Sequence, residues 1–256
     1  MRGVPLAALH WEPRDVAVQG AAAAYREAGA GPVIVLLHGL GLSSAVWTIQ
    51  SAVLAAAGLR VIAPDLPGFG HTPRPRRQPT IAETAQWGLA LLDALGIARA
   101  TWLGHSIAAQ LAVELAAVAP TRSRAVVLAS PTGAEAGRRR LRQLTGLLRD
   151  VPRERGRVFA TVLREYVRRS PAVIAAAWSR AARHATLTRC SAVRCPALLV
   201  AGDRDPVVRP AALARFAAAL SDADIVTIEG AAHGMVFSHA EQFSREVAAW
   251  TLTRGP

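Results

Sequence analysis

Lysine is absent from this sequence of 256 residues, so all 30 basic side chains are arginines. Cysteine is nearly absent as well, since Cys190 and Cys195 are the two thiols of the chain. Two cysteines are too few for a disulfide framework, and they lack the histidine partners or second cysteine pair of a zinc site. We therefore expect two structural thiols and no bound metal.

Long hydrophobic runs are also missing. The alanine-rich stretch 107–119 is interrupted by Gln110 and Glu114, whereas a membrane span needs about 18 uninterrupted apolar residues. The first residues carry one arginine and a short apolar stretch before His10, which is too short for the hydrophobic region of a signal peptide. The sequence therefore predicts a soluble, cytoplasmic protein without stable insertion into a membrane.

Acidic residues are few, and the net charge of +12 is concentrated in one part of the chain. Residues 133–194 contain 15 arginines and four acidic residues, a local net charge of +11 (15 − 4). Leucine and valine alternate with these arginines at helical spacing, which favours a solvated helical surface over a site for an anionic partner. We expect no nucleic-acid partner, because the segment lacks aromatic stacking motifs and a DNA-reading module.

Hydrophobic residues make up 52% of the chain, and their pattern predicts an α/β fold. Short apolar runs alternate with longer amphipathic stretches, as in a mostly parallel sheet flanked by helices. Six runs are predicted to be strands of this sheet: residues 33–37, 60–63, 101–103, 125–129, 197–201 and 225–228. Residues 15–18 and 22–25 are predicted to form an antiparallel pair that opens the sheet. Helices are predicted at residues 46–57, 81–95, 107–118, 210–220 and 240–251.

A serine lies between a predicted strand and a predicted helix, in the segment Gly104-His105-Ser106-Ile107-Ala108. This is the pattern of a nucleophile elbow, in which a sharp turn exposes the serine. Small residues, here Gly104 and Ala108, allow two backbone segments to approach closely at such a turn. The sequence therefore predicts Ser106 as a nucleophile that a nearby base activates.

A glycine-rich turn, His38-Gly39-Leu40-Gly41, follows the predicted strand 33–37 and frees backbone N–H groups there. The amides of Leu40 and Ile107 are predicted to hold the oxyanion that forms during acyl transfer. His38 and His105 are predicted to be structural, because a histidine in such a position is more often a hydrogen-bonding group than a second base.

Two carboxylates and one histidine at later strand ends are candidates for the remaining catalytic groups. The predicted strand 197–201 runs into the acidic loop Gly202-Asp203-Arg204-Asp205. Asp205, at the loop tip, is favoured as the residue that orients the base, while Asp203 is better placed to fix the turn. His233 lies in a loop of small residues after the last predicted strand and is predicted to be the base, which completes the chain order Ser, Asp, His.

Five features, in order along the chain, resemble the α/β-hydrolase family and in particular its esterases and C–C hydrolases. They are residues 24–29, 38–41, 65–70, 104–106, and 202–205 followed by His233. The resemblance implies an α/β-hydrolase fold with a mostly parallel eight-stranded sheet, and Ser106, Asp205 and His233 as a catalytic triad. Similar epoxide hydrolases and haloalkane dehalogenases carry Asp at the elbow, so Ser106 argues against their chemistry.

The alternation of strands and helices is interrupted between the strand near Ser130 and the strand that starts at Ala197. The resemblance implies that residues 133–188 form a helical cap, inserted after the sixth strand, and that residues 1–132 and 189–256 form the core. We expect the cap to close over Ser106 and to select the substrate. Six residues are candidates for the substrate pocket, with the core as the alternative for each: Trp47, Phe159, Tyr166, Trp178, Met235 and Val236.

These residues together predict acyl transfer to water through an acyl-enzyme, without a metal or an organic cofactor. Small esters, thioesters, lactones and vinylogous diketones with an activated C–C bond all suit this chemistry. Where arginines of the cap face the pocket instead of solvent, their charge favours an anionic substrate. One alternative is a non-hydrolytic enzyme of the same fold, such as an acyltransferase, elimination catalyst or perhydrolase. Another is a receptor with an idle triad. The sequence leaves open whether the protein is a homodimer.

Overall fold

The computed structural model describes residues 11–134 and 170–254 of the chain. The strands are β1 (Arg14–Val18), β2 (Ala21–Ala28), β3 (Val33–Leu37), β4 (Arg60–Pro64), β5 (Ala100–His105), β6 (Ser123–Ala129), β7 (Ala197–Gly202) and β8 (Ala223–Ile228). They form an eight-stranded sheet in the order β1-β2-β4-β3-β5-β6-β7-β8. The β1–β2 and β2–β4 pairs are antiparallel and the other neighbours are parallel. This confirms the predicted, mostly parallel sheet.

The sheet opens with a two-residue hairpin. Val18 of β1 pairs with Ala21 of β2, and the two residues between them, Gln19 and Gly20, have φ angles of 52° and 78°. Positive φ at both central positions is typical of a type I′ turn, whose twist matches that of two antiparallel strands. The predicted antiparallel pair is therefore confirmed, and β2 continues beyond its predicted end to Ala28, where it also pairs with β4.

Helices cover both faces of the sheet. In the described ranges they are α1 (Thr48–Ala56), α2 (Ile81–Ala94), α3 (Ala108–Val118), α4 (Pro171–Ala182), α5 (Thr186–Cys190), α6 (Pro210–Ala219), α7 (Met235–Ser238) and α8 (Ala240–Arg254). The start of α2 is fixed by a capping box, in which Thr80 and Glu83 each accept a hydrogen bond from the other's backbone amide. The five predicted core helices are confirmed, with small differences at their ends, whereas α7 was not predicted.

Alternate residues of each central strand pack into two hydrophobic layers, one on each face of the sheet. In β3, Val35 and Leu37 pack on the face covered by α2 and α3, whereas Ile34 and Leu36 pack on the face covered by α1 and α8. All four side chains are buried. Because parallel strands are covered on both faces, they appear in the sequence as unbroken apolar runs.

The helices α4 and α5 lie between β6 and β7, and α4 falls inside the predicted cap. The helix α5 crosses the predicted boundary at residue 188, and its Cys190 is fully buried in the core. The extent of the cap, residues 133–188, stays a prediction, because residues 135–169 lie outside the described ranges. Within the part of the chain that is described, no helix has the length and hydrophobicity that crossing a bilayer requires.

Candidate active site

Ser106 lies at the turn between the end of β5 and the start of α3. Its φ of 57° falls in the left-handed region, which few residues other than glycine adopt. Neighbouring backbone holds this conformation: the Ser106 amide donates to the carbonyl of Ala129 at 2.8 Å, and its carbonyl accepts from the amides of Ala109 at 3.2 Å and Thr132 at 3.3 Å. Backbone strain that the surrounding structure maintains in this way is common at functional sites.

Two glycines allow the strand ends of this region to approach each other. A Cβ atom on Gly104 would lie 2.2 Å from the carbonyl oxygen of Ala108, and one on Gly202 would lie 2.1 Å from the carbonyl oxygen of Ala231. The obstructing atoms belong to the backbone, so they cannot rotate away as a side chain does. The structure therefore supplies the reason for the small residue at position 104, two residues before Ser106.

Three side chains from three strand ends form a hydrogen-bonded chain. Nε2 of His233 lies 2.9 Å from Oγ of Ser106, and Nδ1 of His233 lies 3.0 Å from Oδ2 of Asp205. The side chains of His233 and Asp205 are 4% and 0% exposed. The structure thus brings together the three residues expected to form a triad, and it places the alternative carboxylate, Asp203, on the exposed surface.

The loop after β7 holds Asp205 in a fixed orientation. Its Oδ1 accepts hydrogen bonds from the amides of Val207 at 2.7 Å and Val208 at 2.9 Å, which directs Oδ2 towards His233. Burial acts to raise the pKa of Asp205, but the charge of His233 and the hydrogen bonds from His233, Val208 and Val207 outweigh burial and lower the pKa. Asp205 is therefore a buried, ionised carboxylate in contact with the imidazole.

His105 is buried directly beside His233. Its Nε2 lies 3.2 Å from the carbonyl oxygen of His233, and the edge of its ring meets the ring of Phe237 at a centroid distance of 5.5 Å. Burial, and secondly repulsion from His233, lower the pKa of His105 to about 3. A neutral His105 donates its Nε2–H to that carbonyl, which agrees with the structural role predicted for this residue.

The amides predicted to hold an oxyanion belong to two residues that line a cavity, Leu40 after β3 and Ile107 before α3. Neither amide donates to an acceptor within the described ranges, so both are available to a ligand. His38 fixes the turn beside Leu40, because its Nδ1 lies 3.0 Å from the Gly39 carbonyl and its Nε2 accepts from the Leu66 amide at 3.0 Å. His38 is thus a structural hydrogen-bonding group, as predicted.

The cavity has a volume of about 60 Å³ and a mostly apolar wall. Leu66, Phe69 and Leu111 contribute apolar side chains, and Arg180 of α4 contributes a positive charge. No carboxylate occurs among the wall residues that the structure describes. Ser106 is not itself a wall residue, but its neighbour Ile107 connects the cavity to the turn that carries Ser106.

The structure corrects part of the predicted substrate pocket. Three of the candidates are fully buried core residues that pack on the α1 and α8 face of the sheet: Trp47, Met235 and Val236. Trp178 is half-buried on α4, but Ala177 and Arg180 are the residues of that helix that line the cavity. Phe159 and Tyr166 lie outside the described ranges.

Arg180 belongs to the arginine-rich segment 133–194, but no motif in the sequence marks it as a functional residue. Positions 177 and 180 are three residues apart, so they share one helix face and meet the same cavity. Pro171 at the first position of α4 is a sequence signal for the start of this helix, but it does not show which face meets the cavity. The loop residues Leu66 and Gln78, which also line the cavity, have no comparable signal in the sequence.

Residues 34–246 match the family model described as the alpha/beta hydrolase family. The chain belongs to the alpha/beta hydrolase family. Among the relatives of this chain, an epoxide hydrolase from Caballeronia sordidicola is 36% identical over 114 residues, which are 44% of this chain and 35% of that protein. The chain spans about a third of the length of this and other curated relatives that it matches.

Solved structures extend this likeness in fold to nearly the whole chain. An esterase from Thermogutta terrifontis has a TM-score of 0.83 at 20% identity, covering 96% of this chain and 100% of the esterase chain. The enol-lactonase from Burkholderia xenovorans LB400 has a TM-score of 0.80 at 26% identity, covering 93% of this chain and 100% of the lactonase chain. The α/β-hydrolase fold predicted from the sequence is confirmed.

Proposed function

We propose that this protein is a serine hydrolase that cleaves an ester, thioester, lactone or activated C–C bond of a small substrate through an acyl-enzyme. The observation that carries the proposal is the hydrogen-bonded chain from Ser106 through His233 to Asp205, with distances of 2.9 Å and 3.0 Å. A serine hydroxyl becomes an effective nucleophile when a base lies within hydrogen-bond distance of its proton.

In the first half of the reaction, Oγ of Ser106 attacks the substrate carbonyl carbon while its proton moves to Nε2 of His233. Asp205 keeps the other ring proton on Nδ1, so Nε2 is free to accept this one, and it stabilises the imidazolium that results. The amides of Leu40 and Ile107 donate to the oxyanion, each contributing ~3–4 kcal/mol to the stabilisation of the transition state. The leaving group then departs with the proton from His233.

In the second half, His233 removes a proton from a water molecule that attacks the acyl carbon. The same two amides, those of Leu40 and Ile107, hold the second oxyanion. Collapse of this intermediate breaks the bond to Oγ, and His233 returns the proton to Ser106. No group beyond these residues and water is required for the balance of the reaction.

The serine at the elbow separates this chemistry from that of the epoxide hydrolase relative. Similar epoxide hydrolases carry an aspartate at the elbow. Ser106 forms an acyl ester instead, which calls for a carbonyl substrate. We therefore propose carbonyl compounds, and not epoxides, as the substrates of this chain.

The position of Arg180 favours a substrate that carries a negative charge away from its scissile carbonyl. Its guanidinium has no hydrogen-bond or ion-pair partner among the described residues, although it lines the cavity. A carboxylate in an apolar cavity is costly unless a cation pairs with it, and the planar guanidinium binds carboxylates through two parallel hydrogen bonds. We propose that the carboxylate of an anionic acyl group binds Arg180 while its ester carbonyl meets Leu40 and Ile107.

The test compares the wild type with Ser106→Ala, using Ser191→Ala as the control because Ser191 is an exposed serine at the end of α5 and does not line the cavity. Turnover of a panel of acyl esters should fall ~10³-fold or more in Ser106→Ala and stay unchanged in the control. A fluorophosphonate probe should label Ser106 of the wild type, as identified by peptide mass mapping. Unchanged hydrolysis by a folded Ser106→Ala variant would overturn the proposal.

A further inference from the structure

Glu114 is a buried carboxylate in the middle of α3, the helix that begins directly after the nucleophile turn. The residue is 5% exposed, and the helix around it consists mostly of alanine, leucine and valine. Its Oε2 accepts a hydrogen bond from Nε of Arg189 at 2.7 Å and lies 3.1 Å from Nε2 of His184. A carboxylate at this depth needs such partners, because burial of an unpaired charge is costly.

Both partners of Glu114 belong to the segment that joins the cavity wall to the core. His184 lies two residues beyond the end of α4, and Arg189 lies on α5. Arg180, which lines the cavity, is in the last turn of α4, four residues before His184. The carboxylate of Glu114 therefore holds the chain close to the point where α4 presents its positive charge to the cavity.

Further hydrogen bonds connect this cluster to the nucleophile turn. Nδ1 of His184 lies 3.0 Å from Oγ1 of Thr186, which donates to Oε1 of Gln110 at 3.2 Å. Nε2 of Gln110 donates to Oγ1 of Thr132 at 3.2 Å, and the Thr132 amide donates to the Ser106 carbonyl at 3.3 Å. The end of α4 and the turn at Ser106 are thus fixed to α3 by one buried polar chain.

Stability alone does not account for a charged cluster at this place. Leu111 and Leu115 of α3 already pack in the same hydrophobic cluster as Leu187 and Cys190 of α5. A buried ion pair is seldom more stabilising than apolar side chains of the same volume. Apolar packing, however, tolerates small rotations and shifts, whereas hydrogen bonds to one carboxylate oxygen fix the position of the chain that donates them.

We propose that Glu114 is a positioning residue, which sets the place of Arg180 at the cavity through His184 and Arg189 and so determines the preference for anionic substrates. The inference rests on the proposed function, since it concerns the binding of the acyl group that Ser106 attacks. Glu114 itself touches neither the substrate nor the reacting atoms. Replacement of Glu114 should therefore change KM for charged substrates and leave kcat unchanged.

The test uses two esters that differ in charge, para-nitrophenyl hemisuccinate and para-nitrophenyl valerate. Glu114→Gln keeps the size of the side chain and removes its charge, so we expect KM for the hemisuccinate to rise about tenfold. KM for the valerate, and kcat for both esters, should stay within about twofold of wild type. Glu241→Gln is the matched control, because it removes an exposed carboxylate that also pairs with an arginine, Arg245.

Arg189→Gln provides a second variant, because its partly exposed side chain tolerates substitution better than the buried Glu114. Arg189→Gln should reproduce the selective rise in KM. Combining it with Glu114→Gln should add little, since both variants break the same contact between Arg189 and Glu114. Equal changes for the two esters, or a lower melting temperature with unchanged kinetics, would overturn the inference. Failure of the proposed function looks different, since folded Ser106→Ala would then still hydrolyse both esters.

Discussion

The imidazole of His105 packs against the imidazole of His233, with ring centroids 5.4 Å apart and planes tilted by 40°. His105, the residue before Ser106, thus contacts the side of the proposed base His233, and its Nε2 also bonds the His233 carbonyl. Because burial and repulsion from His233 lower the pKa of His105 to about 3, His105 stays neutral. It therefore places no second positive charge beside the imidazolium that forms when His233 takes a proton.

Replacement of His105 should reduce turnover without weakening substrate binding. His105→Phe keeps a ring of similar size but loses the hydrogen bond to the His233 carbonyl, and we expect kcat to fall about tenfold with KM little changed. Steady-state kinetics with the esters named above measure both constants. His105→Gln, which keeps an N–H donor, is the matched variant and should recover part of the loss. Equal kcat values for wild type and His105→Phe would contradict the positioning role.

The same histidine should make stability depend on pH. The folded pKa of about 3 lies below the ordinary value of 6.5, so between these values the unfolded chain binds a proton that the folded chain excludes. The free energy of unfolding of the wild type should therefore fall as pH drops from 6.5 towards 3, by up to ~1.4 kcal/mol per pH unit from this group. Urea denaturation of wild type and His105→Phe at several pH values measures the difference. Parallel stability curves would show that His105 does not contribute.

The two carboxylates of the loop after β7 should differ sharply in function. Asp205→Asn removes the charge that holds Nδ1–H of His233, and we expect kcat to fall ~10³- to 10⁴-fold because the wrong tautomer of His233 becomes favoured. Asp203→Asn is the matched control two residues away, and its exposed side chain should leave kcat within about twofold. A large loss of kcat in Asp203→Asn with little loss in Asp205→Asn would reverse the assignment.

Both cysteines should be unreactive in the folded protein. Burial raises the pKa of Cys190 to about 12 and that of Cys195 to about 11, so neither forms thiolate near neutral pH. Treatment with iodoacetamide at pH 8 should leave the native protein unmodified and its activity intact, while both thiols react after unfolding. Intact-mass measurement counts the adducts. Rapid alkylation of the native protein would indicate that one of these thiols is accessible.

The central strands of the sheet were predicted well, because burial on both faces produces an unbroken apolar run in the sequence. The predicted bounds of β3, Val33–Leu37, are those of the structure. β5 is longer than the predicted residues 101–103 and runs from Ala100 to His105, because its last residues pair with β6 although they are not apolar. Hydrogen bonding between strands determines where a strand ends, and the hydrophobic pattern of the sequence does not show these hydrogen bonds.

Trp47 shows where a prediction from residue type fails. A large aromatic side chain near a candidate site suits a substrate pocket and a core equally well, and the structure places it in the core with no exposed surface. Arg180 shows the opposite case, a surface-type residue that lines the cavity. The direction in which a side chain points depends on how its helix packs, which depends on residues far away in sequence.

The sequence by itself determined the α/β alternation, the elbow at Ser106 and the candidate partners Asp205 and His233, because each follows from local rules of burial, turn geometry and strand ends. Tertiary structure decided that Ser106 and His233, 127 residues apart, meet at hydrogen-bond distance. It also decided which charges face the cavity and that Glu114 is buried between His184 and Arg189. These contacts join distant segments, so they exist only once the layers of the fold have packed together.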